Sequence, residues 1–160
     1  MFEHFKAPQT INELVDAITE WLGEKVWPDL SGYADALPEP DTNRAVERSP
    51  FFVVTAPSGT AGVEPTSGPA SRAQIAIYLQ VRSSKSDGTD YLWAVRTLRD
   101  CIDGLRMALY RSPTGITFGA RPGSMSWEIP DSQPRPVWQA AIHIEFEVKS
   151  AARDNAEFLC

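Results

Sequence analysis

The side chains suited to chemistry are few and scattered. His143 and Glu145 stand two apart in a stretch that alternates apolar and polar residues, so both face the same way on a strand. A histidine beside a carboxylate can act as an acid/base pair. On a sheet surface the same two residues form a solvated pair, which is the commoner case. Tyr78 falls on the polar face of a second alternating stretch and would join them in a small enzyme or ligand-binding domain. The other histidine, His4, is not at ligand spacing from a cysteine or from His143. Gly59, Gly62 and Gly68 lack the following Lys-Ser/Thr and helix of a phosphate loop. Ser58-Gly59 has no nucleophile-elbow context, and Asp87, Gly88 and Asp90 do not complete a calcium loop. Cys101 sits between Leu98 and Leu105 at helical spacing, the place of a small core residue. The residues therefore predict no catalytic group, no metal and no cofactor.

Periodic segments must position whatever function there is. In Val137–Val148 the residues Trp138, Ala140, Ile142, Ile144, Phe146 and Val148 are apolar, and those between are mostly polar. That is a strand with one buried face, about 40 Å long at ~3.3 Å per residue, long enough to be the spine of a sheet. Ala73–Arg82 alternates likewise, with Ile75, Ile77, Leu79 and Val81 on one face. Phe51–Thr55 is a short apolar strand, and short strands are expected at 116–118 and 124–129 around Arg121-Pro122-Gly123. Thr10 with Glu13 predicts a capping box, followed by Ile11, Leu14, Val15, Ile18 and Leu22 at helical spacing, with Gly23 as a stop or a frayed run on to Val26 before Pro28. Tyr91, Val95, Leu98, Ile102, Leu105 and Leu109 mark a longer helix that Asp87 or Thr89 can cap and Ser112-Pro113 ends.

Between these lie three segments without a period. Residues 27–50 read as an ordered crossing loop broken by prolines. Residues 56–71, rich in Gly, Pro, Ser and Thr, read as a long hairpin arm or a mobile loop. Residues 151–160 read as a loose tail or an arm that docks on a neighbour. The 160 residues make one domain of α+β class: a largely antiparallel sheet of about four strands, two helices packed on one face, and a long hairpin arm.

A net charge of -6 disfavours a nucleic-acid-binding surface but not a pore through which DNA slides. Two cysteines make no disulfide framework, so a reducing compartment is expected. MFEHFKAP lacks the pattern of a signal peptide, and no run reaches membrane-spanning length. Of the five tryptophans, Trp93 is offset by two residues from the Tyr91/Val95 seam and turns away from the core stripe, which suits a protein contact or partial burial at the core's rim.

The order of ITEWL, FFVVT, AQIAIYLQVR, DYLWAVRTLRDCIDGLRMAL and EIPDSQPRPVWQAAIHIEFEV resembles the tail terminator and tail completion proteins of long-tailed bacteriophages. It covers most of residues 10–149 and lies in architecture, not in an invariant motif. The resemblance implies a non-enzymatic virion protein, made in the host cytoplasm, that caps the tail tube and joins it to the head or neck. It implies a homo-oligomer, commonly a hexameric ring, around a channel through which DNA passes without specific binding. The tail tube protein and a neck or head-completion protein would be its partners, with no membrane. A neck or head-completion role is the near alternative, and an enzyme using His143, Glu145 and Tyr78 is the distant one. On this reading Trp93, with Ser58, Gly59, Val63 and Glu64 of the arm and Phe158 of the tail, are the interface candidates.

Overall fold

A computed structural model describes residues 10–36, 50–62, 70–82, 91–111, 120–130 and 137–149. The first helix, α1 (Ile11–Trp21), opens on the expected capping box. The Thr10 hydroxyl accepts from the Glu13 amide at 3.1 Å, and the Thr10 amide donates to the Glu13 carboxylate at 3.3 Å. Such a cap stabilises a helix by about 1 kcal/mol. Leu14, Val15, Ile18 and Trp21 are buried along its inner stripe.

Gly23 does not end this helix. It avoids the left-handed backbone of a helix stop, and the chain runs on as a π turn, Leu22–Val26. The wider turn places both Leu22 and Trp27 in the core. Trp27 then stacks edge-on against Phe52 at 5.2 Å, and its indole N–H donates to the Cys101 carbonyl at 3.0 Å.

The crossing loop contains a strand that the sequence concealed. β1 (Ser31–Ala34) runs parallel to β2 (Phe51–Gly62), pairing Ser31↔Phe51 through Ala34↔Val54. Four residues including a glycine show no period. Gly32 is needed because a Cβ there would lie 2.4 Å from the Phe52 ring. Asp35 ends the strand with φ 68°, its amide donating to the Val54 carbonyl at 2.7 Å.

β3 (Ala70–Arg82) and β5 (Val137–Lys149) form the centre, antiparallel and paired without a break from Ala70↔Lys149 to Arg82↔Val137. β4 (Ala120–Glu128) flanks β5, giving five strands among the described residues, in the order β1-β2-β3-β5-β4, where about four were expected. Among the described residues, only the β1–β2 pairing is parallel. α1 packs over β1 and β2, and α2 (Tyr91–Arg111) over β3 and β5. Both helices meet the face carrying Ile75, Ile77, Leu79, Val81, Trp138, Ala140, Ile142, Ile144 and Phe146, all buried. The fold is thus α+β, with its helices on one face.

Candidate functional site

Both outer strands of the sheet are interrupted at the same level. β1 pairs only with Phe51–Val54, so beyond Val54 β2 is the outer strand among the described residues. There the β2–β3 register shifts between Thr55 and Ser58, across Ala56-Pro57. Proline has no N–H for a ladder, so an edge and a bulge suit it. On the opposite edge, β4 shifts register between Pro122 and Met125. In the β3–β5 frame these shifts fall on adjacent rungs, the β2 shift at Ile75↔Ile144 and the β4 shift at Gln74↔Glu145. Bulges at both edges twist them away from edge-to-edge pairing and re-aim nearby side chains.

Two glycines permit the close approaches at this level. A Cβ on Gly59 would lie 2.6 Å from the Arg72 carbonyl, and one on Gly123 would lie 3.3 Å from the Glu145 carbonyl. The Gln74 amide donates to the Glu145 carboxylate at 2.8 Å. Beside this pair is a shallow cavity of about 130 Å³ lined by Ser58, Gly59, Thr60, Arg72, Gln74 and Glu145. It offers hydroxyls, an amide, a guanidinium and a carboxylate. That set can hydrogen-bond one small polar group of either sign. Ligand pockets for metabolites run from about 300 Å³ upward, so this hollow fits a side chain or a turn of a partner, not a cofactor.

The structure brings together residues that sequence reasoning kept apart. Ser58 and Gly59, expected in an arm, share the hollow with Glu145, expected in an acid/base pair. Arg72, Gln74 and Thr60 went unnoticed. Their signal was Ala56-Pro57, a proline that only an edge or a bulge admits. Within the arm, 56–62 and 70–71 are strand, 63–69 lie outside the described residues, and β3 is paired on its other side with β5 up to Lys149. His143 and Tyr78 lie outside the hollow. Both are exposed on the face away from the helices, His143 opposite Ala76 and Tyr78 opposite Ala141. That face is drier than alternation suggests, since Ala76 and Gln80 are buried. The Gln80 side-chain oxygen accepts from the Gln139 amide at 2.7 Å. Trp93 is 41% exposed, as its offset predicts. Val63, Glu64, Phe158, the 116–118 strand candidate and the capping residues Asp87 and Thr89 lie outside the described residues.

Cys101 is half-buried, and burial, with Asp100 adding to it, pushes its thiol above the ordinary value. Among the described residues no three His, Cys, Asp or Glu side chains gather to hold a metal ion. Also among them, no helix is long and apolar enough to cross a membrane. No protein-family model and no curated protein matches the chain.

Proposed function

We propose that this chain is a structural virion protein that caps the tail tube of a long-tailed bacteriophage and joins it to the head or neck, as a ring around the DNA channel. The observation that carries the reading is the order and layering of elements. A capped helix, a hairpin of long strands, a 21-residue helix and a long last strand follow one another, with both helices on one sheet face. This is the order on which the resemblance to tail terminator proteins rests. Two further features support a role in contacts between proteins. The β2–β3 ladder runs out to Gly62↔Ala70 beside β5, so this end of the sheet is a stiff surface that can be presented to a partner. The hollow on that hairpin has the size of a partner's side chain.

The reading makes the chain non-enzymatic, with the tail tube protein on one side and a neck or head-completion protein on the other. Mass measurement by light scattering, followed by complementation of a phage lacking its terminator, tests it. A ring of six copies and restored tail joining are the expected results. A chain that never assembles and restores nothing would overturn it.

A further inference from the structure

The geometry points to a second interaction surface: the helix layer of one copy docks on the helix layer of another, α2 against α1, related by a two-fold axis. The outer side of α2 is unusually apolar at its two ends. Leu92 is 64% and Tyr110 78% exposed, and Trp93 and Met107 join them. Single exposed apolar residues are normal, but four on the outer side of one helix mark a contact. Between these ends α2 carries Arg96, Arg99 and Arg106 with Asp100 and Asp103, and Arg111 follows. Asp103 is already held by Arg106 at 3.3 Å. The outer side is therefore net basic in a chain that is net acidic.

α1 carries the complement. Asp16 and Glu20 are exposed on one side of it, with Glu24 following in the π turn and Glu13 preceding, tied to the Thr10 amide. Spacings of three and four put these like charges side by side, an arrangement that opposes the helix unless a cation faces it. Both helices lie on one face of the sheet, and each charged stripe is opposite its helix's buried stripe. Both stripes therefore look away from the sheet on the same side. A second copy turned over about a two-fold axis lays its α1 on the first copy's α2, and its α2 on the first copy's α1. The contact is made twice, as in an isologous dimer. The helices are about 31 and 16 Å long and about 10 Å wide, so the layer covers roughly 500 Å² per copy, near the lower bound for a specific interface.

The pairing does not depend on the virion reading, and masses separate the two. Light scattering of the full chain at low salt should give two copies, or twelve if rings of six also pair face to face. One copy, or six without doubling, overturns the pairing, and six leaves the ring reading standing. Charge reversal then tests the contact. R96E/R99E makes both helices acidic, and D16K/E20K makes both basic. Each alone should lose the pairing while keeping its circular dichroism. Mixed in equal amounts, they should pair again, because both contacts are then complementary. Pairing that survives both reversals, or a mixture that stays unpaired, overturns the assignment. If a reversal variant fails to fold, Trp93→Ser takes its place, with an expected loss of about tenfold in pairing affinity; an unchanged affinity overturns it.

Discussion

At the scale of single residues, Phe52 decides two features that look unrelated. Its ring is fully buried, it meets Trp27 edge-on, and it occupies the space where a side chain at Gly32 would begin. Gly32→Ala should cost about 1–3 kcal/mol in a urea melt, the range for overpacking. Adding Phe52→Leu should return part of that loss, whereas an additive double variant would show that the two positions do not compete. Ile144 and Leu98 are both fully buried in the core between the sheet and α2. Ile144→Ala and Leu98→Ala should each cost about 2–5 kcal/mol; less than about 1 kcal/mol for both would contradict the packing. Cys101 gives a pH-dependent case. Burial raises its thiol in the folded chain. Above the ordinary thiol value the unfolded chain therefore releases its proton first, and stability falls as pH rises. Cys101→Ser should flatten that alkaline fall, and alkylation of Cys101 itself, followed by peptide mapping at neutral pH, should be slow. A slope unchanged by the substitution would assign it to another group. Which residues of β3 and β5 face the helices was legible from alternation alone, while the burial of Ala76 and Gln80 on the other face was not. What His143, Glu145 and Tyr78 do was not, because alternation gives a face and not a neighbour. Glu145's partner, Gln74, lies 71 positions away and is set by strand register.

At the scale of elements, the legible ones were those with a long period: α1, α2, β3 and β5. β1 was hidden because its four residues, Ser31–Ala34, gain their strand character from pairing with β2, not from their own pattern. The outer half of β2 was hidden for a related reason. Its Gly, Pro and Ala residues disfavour an isolated strand, yet β3 is held on its far side by β5 and offers a ready ladder. The register now fixes how the hairpin can be shortened. Gly59 faces Ala73, and a two-residue Asn-Gly turn can join a facing pair. Replacing 60–72 with Asn-Gly removes the tip while keeping Ala73, a buried residue of that end, on the sheet. The shortened chain should keep its helical and strand circular dichroism and fail in tail joining. Full complementation would leave the hairpin tip without a role in assembly.

At the scale of the whole molecule, the distribution of charge matters more than its sum. The net charge of -6 is spread so that the outer side of α1 is acidic and that of α2 basic. Composition shows the sum; only the placement of two helices on one sheet face shows the asymmetry. The same asymmetry sharpens what to expect of DNA. A channel that lets DNA slide must not hold it, and a lining of negative charge repels a polyanion over about a Debye length. The arginines of α2 are the main exception on the described surface, and in the paired arrangement they face the acids of a second copy. Wild-type chain should therefore leave the mobility of duplex DNA unchanged in a gel at physiological salt. R96E/R99E should behave the same way, because those arginines were never available to phosphate. D16K/E20K, basic on both helices and unpaired, should retard DNA weakly, with an affinity that falls steeply as salt is raised. If the wild-type chain itself retards DNA and R96E/R99E abolishes the shift, the partner of the α2 arginines is the phosphate backbone and not a second copy.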